Sequence, residues 1–209
     1  MHIEKIKNKG QARLFSNNYL EFLTKTHPLV IWCLYLPIIL WLPYYSVYSL
    51  SLPTESTIIF FIAGGFFWTL TEYVLHRFVF HHHPKTFTGK KINYLLHGNH
   101  HEYPRDKQRL FMPPLPSLLI ASTFIIFFRL IIGKYAYAFF PGFMLGYLVY
   151  ASMHYAIHAW KPPFKWMKSL WINHHLHHYK HESKGFGVSS TLWDHVFGTM
   201  FDVKKEKAD

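Results

Sequence analysis

From Pro28 to Leu52 the chain carries no Asp, Glu, Lys or Arg, and no other feature narrows its possible folds so far. In lipid every backbone N–H and C=O must find its partner within the segment, so an apolar run of this length reads as a bilayer-crossing helix. Pro37 and Pro43 inside it are expected to kink the helix. A second run, Ser56 to Leu75, is long enough at ~1.5 Å per residue to span the roughly 30 Å hydrocarbon core. A third covers Leu115 to Ile132 and a fourth runs from about Tyr135 to His154, with Gly133-Lys134 as a tight hairpin between them. Pro53 and Glu55 separate the first two. Half of the 209 residues are hydrophobic and a fifth are aromatic, too apolar for an ordinary soluble domain and suited to aromatic belts at the headgroups.

Four crossings fix sidedness by parity. The polar stretch after the second run and the one after the fourth fall on the same side, together with both termini. The charges agree independently. Of 22 Lys and Arg, Arg129 and Lys134 lie on the far side and the other 20 on the near side, which the positive-inside rule makes cytoplasmic. That is the inner membrane face in a bacterium or the endoplasmic reticulum membrane in a eukaryote. The net charge of +11 is therefore assigned to a membrane surface and not to nucleic acid, for which no recognition motif is present. The expected fold is an all-α integral membrane protein, a single domain over 1–209. It has spans at about 28–52, 56–75, 115–132 and 135–154 and a histidine-rich helical cap from 76–114 and 155–209. Residues 1–27 read as a short basic tail (Lys5, Lys7, Lys9) and an amphipathic helix lying on the membrane surface or against the cap. No signal peptide is expected, because these residues are polar and basic. The lone cysteine, Cys33, is expected as a small buried hydrophobe.

The near side holds four histidine clusters. If helical, His174, His177 and His178 in N-H-H-L-H-H sit at i, i+3 and i+4 and share one face, as do His97, His100 and His101 in H-G-N-H-H. Two pairs complete the set: His76 and His81 in H-R-F-V-F-H, and His154 and His158 in H-Y-A-I-H. A lone histidine is usually a satisfied core or surface residue. Ten in such clusters would each bury a polar ring that needs its own partner. Neutral imidazole is a common ligand of first-row metals, and ten exceed the positions around one octahedral ion, so the pattern predicts a two-metal site. A structural zinc site needs four ligands and usually uses cysteine. A metal transporter would place ionisable residues near the membrane midplane, where these spans are nearly free of them. A redox site on the membrane face accounts for both the number and the location.

Taken in order, H-x-x-x-x-H, H-x-x-H-H, H-x-x-x-H and H-x-x-H-H resemble the membrane fatty acid hydroxylase and sterol desaturase superfamily. H-H-E-Y-P-R-D-K-Q-R-L-F-M-P-P at His100–Pro114 and G-F-G-V-S-S-T-L-W-D-H-V-F-G-T at Gly185–Thr199 are similar to its fatty acid 2-hydroxylase branch, as are the N-terminal R-L-F and L-E-F-L-T-K-T. The resemblance covers nearly the whole chain. It implies that His76, His81, His97, His100, His101, His154, His158, His174, His177 and His178 are ligands of two irons, with zinc as a possible occupant of purified material. It also implies dioxygen-dependent hydroxylation at C2 of a fatty acid or of a sphingolipid N-acyl chain. Eukaryotic members often carry an N-terminal b-type cytochrome domain, for which 209 residues leave no room. Electrons are therefore expected from a separate donor, a b-type cytochrome or a ferredoxin with its reductase. The alternatives are a sterol or carotenoid hydroxylase or desaturase of the same superfamily, and a non-catalytic metal-binding membrane protein.

Other residues carry weaker expectations. Glu72, one helical turn before His76, is expected to hydrogen-bond a ligand imidazole, and Asp194 either does the same or forms a salt bridge in the cap. Asn99 and Asn173 have a metal-bound water or a turn as their two readings. Tyr103, Tyr155, Trp160 and Trp193 are candidates for a substrate path, with interfacial packing as the default. Arg105 and Arg109 are candidates for a headgroup contact, with a solvated face as the default. His82, His83 and His175 read as spacers or as supports behind the ligands, His181 and His195 as surface residues, and His2 and His27 as uninvolved.

Overall fold

The computed structural model describes residues 6–202, and all regular structure among them is helical. Helix α2 (Pro28–Tyr48) starts with proline at its first position, where the missing N–H costs nothing, and the His27 side chain accepts from the Leu29 amide at its N-terminus. It runs unbroken through Pro37 and Pro43 and buries Ile31, Tyr35, Ile39, Leu42 and Ser46, a stripe repeating every three or four residues. Leu40, Trp41 and Tyr44 face outward. So does Cys33, which lies off the stripe and is exposed; the expectation of a buried thiol was wrong.

Helices α3 (Thr54–Val74) and α7 (Ala136–Ala159) form the centre, with α2 and α6 (Pro114–Ile132) packed on α7. Glycine allows α3 and α7 to touch backbone to backbone. A Cβ on Gly64 would stand 2.0 Å from the Phe139 carbonyl oxygen, and one on Gly142 1.8 Å from that of Phe61. Helix α6 turns back on α7 through a 3-10 turn at Gly133–Tyr135, where Gly133 has φ +59°. Phe128 then meets Phe139 (centroids 4.8 Å apart) and Phe124 meets Phe143 (4.9 Å). Among the described residues, three stretches are long and apolar enough to cross a membrane: Pro28–Tyr48, Thr54–Phe80 and Pro114–Ala159. The third is the α6–α7 hairpin.

The helix limits differ from those expected. The first ends at Tyr48, because Ser49 to Leu52 turn back with Ser51 at φ 52° and the Leu52 amide on the Ser46 carbonyl. The second and fourth run past the first histidine of each pair, to Phe80 and Ala159. A change to polar side chains does not end a helix when those side chains face a buried site.

The cap contains α4 (Phe87–Asn93), which continues through a π turn at Tyr94–Gly98 into α5 (Asn99–Glu102), and then α8 (Lys168–Tyr179) and α9 (Leu192–Val196). Residues 6–17 form a non-helical strap over it. The Lys7 amide donates to the Glu102 carbonyl (2.7 Å), and the Tyr179 hydroxyl donates to Asn8 Oδ1 (2.7 Å). Helix α1 (Asn18–Leu23) covers six residues of this stretch and is capped by Asn17, with Tyr19 and Phe22 exposed. The expectations for the two chain ends, including Lys5 and His2, lie outside the described residues.

Candidate metal centre

The ten histidines of the four clusters come together in two groups of five. His76, His81, His97, His101 and His177 form one; His100, His154, His158, His174 and His178 form the other. Within each group one ring nitrogen per residue lies within 4.8 Å of all the rest. Each triplet is shared between the groups. His97 and His101, four apart, enter the first group while His100 enters the second. His174 and His178 enter the second while His177 enters the first.

Two π-helical turns make this possible. Five α-helical residues at ~100° each would leave His81 about 140° around the axis from His76. The chain instead widens to a π-helix over Leu75–Phe80, and the His81 amide donates to the His76 carbonyl five residues back (3.2 Å). The second π turn, Tyr94–Gly98, delivers His97. Such turns leave carbonyls without their usual partners. Asn93 Nδ2 donates to the Phe80 carbonyl (2.7 Å), and Asn99 Nδ2 to those of Tyr94 and Leu95 (both 2.9 Å). Asn99 therefore serves the turn.

The Nε2 atoms converge. In the first group His97 Nε2 stands 3.2 Å from that of His76 and 3.0 Å from that of His101. In the second, His154, His100, His178, His174 and His158 follow one another at 2.8, 3.1, 3.1 and 2.9 Å. The opposite nitrogens show which tautomer faces inward. His76 Nδ1 lies 2.6 Å from the Phe186 carbonyl, and His177 Nδ1 2.6 Å from that of Lys184. Since a carbonyl only accepts, both Nδ1 atoms carry the proton and both Nε2 atoms present lone pairs. His177 Nε2 and His81 Nε2 are buried without a hydrogen-bond partner. Lone pairs aimed at one another repel unless a cation sits among them. Two nitrogens on one ion at about 2.0–2.1 Å stand roughly 2.9 to 3.4 Å apart, which fits most of these spacings. Burial, reinforced by neighbouring imidazoles, holds His97, His100, His101, His174, His177 and His178 well below the ordinary histidine value, so they are neutral at physiological pH. His81 shifts the same way for the same cause. Neutral imidazoles in this arrangement can hold two metal ions.

The supports behind the first group were partly missed. Glu72 does not bond an imidazole: its Oε1 accepts the amides of Val188 (2.7 Å) and Ser189 (2.9 Å), and its Oε2 accepts the Ser189 hydroxyl. Asp194, fully buried, accepts the amides of Phe186 (2.9 Å) and Gly187 (2.8 Å) and the Thr199 hydroxyl (2.7 Å). Two carboxylates thus hold four consecutive amides. The carbonyls of the same loop, at Lys184 and Phe186, fix His177 and His76. Gly185 at φ +71° and Gly187, whose Cβ would meet the Ser190 carbonyl at 2.1 Å, allow the loop this shape. The sequence signals were the carboxylate one turn before His76 and the paired glycines. Asn173 donates weakly to Asp194 (3.4 Å).

A cavity of about 490 Å³ runs from this centre between α3, α6 and α7. His97 of the first group and His100 and His154 of the second form its inner end, and its walls are almost wholly apolar. Val79, Leu96 and Ile120 line it and are exposed, so it is open at the side. None of Tyr103, Tyr155, Trp160 and Trp193 lines it; Trp68, Tyr147 and Tyr150 do. Arg109 lines it but is engaged by Glu21 and by Asp106 (2.6 Å). Arg105 is exposed, and His82, His83, His175, His181 and His195 belong to neither group.

The fatty acid hydroxylase family model matches residues 61–199. The chain is 38% identical over 206 residues to a dihydroceramide fatty acyl 2-hydroxylase of Arabidopsis thaliana, covering 98% of this chain and 86% of that protein. It is 40% identical to the ceramide very long chain fatty acid hydroxylase SCS7 of Saccharomyces cerevisiae (95% of this chain, 52% of that one) and 34% identical to the human fatty acid 2-hydroxylase (92% and 57%). It thus spans about half the length of the yeast and human relatives. A solved structure of full-length scs7p, in which only the hydroxylase domain is visible, superposes with a TM-score of 0.85 at 39% identity, covering 92% of this chain and 73% of that one.

Proposed function

This chain belongs to the fatty acid hydroxylase family, and on that premise we propose that it hydroxylates C2 of a lipid acyl chain, a fatty acid or the N-acyl chain of a sphingolipid. The observation that carries the reading is the cavity whose inner end touches both histidine groups. Relatives matched over nearly all of this chain are named as a dihydroceramide fatty acyl 2-hydroxylase, a fatty acid 2-hydroxylase and a ceramide very long chain fatty acid hydroxylase. The reaction replaces one C2 hydrogen by hydroxyl: dioxygen, two electrons and two protons give the hydroxylated chain and one water.

The ten histidines are the ligands, five to each of two irons, which when bound supply dioxygen activation. Imidazole sites also accept zinc, which purified material can carry. Phe186 and Lys184 hold His76 and His177 in the tautomer that turns a lone pair inward. In this reading the apolar walls exclude water and orient the chain, whose C2 lies at the inner end lined by His97, His100 and His154.

Residues 1–209 act as one membrane-embedded domain that crosses four times, with α6 and α7 as separate spans. The histidine cap and both termini lie on the cytoplasmic side, supported by the 20-to-2 partition of Lys and Arg. A separate one-electron donor, a b-type cytochrome or a ferredoxin with its reductase, supplies the two electrons. Membranes containing the protein are given acyl substrate, isotopically labelled dioxygen and such a donor. Label at C2 is expected. A new double bond, a hydroxylated ring or turnover without donor overturns the reading.

A further inference from the structure

Opposite its histidine end the cavity stops on three aromatic rings, Trp68 of α3, Phe124 of α6 and Phe143 of α7. Phe143 is central. It lies 4.9 Å from Trp68, 4.9 Å from Phe124 and 5.1 Å from Phe128, ring centroid to centroid, and is 1% exposed. Below it the fold leaves no room to continue. The α3 and α7 backbones close on each other at Gly64 with Phe139 and at Gly142 with Phe61. Phe128 fills the α6 side against Phe139 (4.8 Å) and Phe67 (6.1 Å). The stop is therefore built by packed rings over a closed seam.

We propose that Phe143, seated between Trp68 and Phe124, sets the length of acyl chain the protein accepts. The proposal rests on the reading that the cavity holds an acyl chain with C2 at the histidines. From His154 to Phe143 is eleven residues of one helix, so at ~1.5 Å each the floor lies roughly 16 Å below the reacting end. A chain whose methyl end reaches the rings fills the cavity. A longer one must leave through the side opening at Val79, Leu96 and Ile120, and a shorter one leaves apolar space empty. Ala121 lines the wall one turn of α6 above Phe124, so a larger side chain there raises the floor.

The test uses the full chain in membranes with dioxygen, the same one-electron donor as above and an equimolar ladder of saturated N-acyl sphinganines, reading 2-hydroxylated products by mass. The same ladder is then used singly to stabilise the purified protein against heat. Phe143→Ala is expected to raise the ratio of long-chain to short-chain product several-fold, and Ala121→Leu to lower it several-fold, with the stabilisation optimum moving alike. If Phe143→Ala fails to accumulate, Phe143→Leu and Ala121→Leu carry the comparison. Profiles unchanged in shape, or shifted the same way by both substitutions, overturn the proposal. If the native protein yields no C2 product, the reading of its function fails, and the stabilisation profile still decides the floor.

Discussion

His101 and His178 stack face to face, 4.1 Å between centroids with planes 21° apart, although each belongs to a different group of five. The two groups therefore share a wall, and each triplet is a crossing point: α5 lends His100 to the group of α8, and α8 lends His177 to the group of α5.

From that interlock, two metal ions per chain are expected in purified protein. His177→Ala removes a first-group ligand and should lower the content towards one ion and abolish hydroxylation. His27→Ala, which removes only the N-cap of α2, should keep both. Metal analysis by mass spectrometry on folded, detergent-solubilised protein reads this. Loss of neither ion from His177→Ala would refute the assignment.

The two carboxylates behind the first group should differ in what they tolerate. In Glu72→Gln, one end still accepts the Val188 and Ser189 amides, and the Ser189 hydroxyl can reverse and accept from the new amide. Asp194 offers no such reversal, since each oxygen faces a backbone N–H, from Phe186 or Gly187. Asp194→Asn must turn an NH2 against one of them, and a buried donor without an acceptor costs about 1–3 kcal/mol. Thermal melting should show Asp194→Asn the more damaging, with metal lost first where His76 and His177 bind. Equal effects would contradict this account.

Much of this arrangement is legible in the residues. The apolar runs place α2, α3, α6 and α7, and the cluster spacings contain every histidine of both groups. Their division into groups is not legible, because His76 and His81 share a site only through a π turn, and sequence periodicity assumes an α-helical step. Triplet spacing likewise shows a common face but not that its middle member, His100 or His177, reaches across to the other group. Glu72 misled for a related reason: proximity along α3 pointed to His76, whereas a loop more than a hundred residues away supplies its donors, the Val188 and Ser189 amides and the Ser189 hydroxyl. Long-range backbone contacts leave no local pattern.

The α3–α7 seam gives a matched pair of substitutions. Gly64→Ala sets a methyl 2.0 Å from the Phe139 carbonyl oxygen, on a backbone that cannot move aside without parting the helices. Gly65→Ala meets its nearest neighbour, the Gly142 carbonyl oxygen, at 3.5 Å, an ordinary contact. Gly64→Ala should therefore cost at least the 1–3 kcal/mol typical of overpacking, roughly, and Gly65→Ala should be near neutral or slightly stabilising through helix propensity. Melting curves of the two variants in the same detergent check it, and similar curves would show that the seam yields.

Sidedness can be read with one thiol at a time. Cys33 is exposed on α2, so Cys33→Ser supplies the background. Glu55 opens α3 at the end far from the histidines, where Lys134 reaches the Leu50 carbonyl (3.5 Å) and ties the two far turns together. Lys85 is exposed just after the histidine end of the same continuous helix, which stops at Phe80. An impermeant thiol reagent added outside intact cells should label Glu55→Cys and leave Lys85→Cys untouched until the membrane is opened. The lysines and arginines demand this sense, since the reverse would put 20 of 22 on the outer side against the positive-inside rule. Labelling of Lys85→Cys alone would invert the orientation. Labelling of both in intact cells would break the four-crossing parity, because the second span could then no longer separate the two positions.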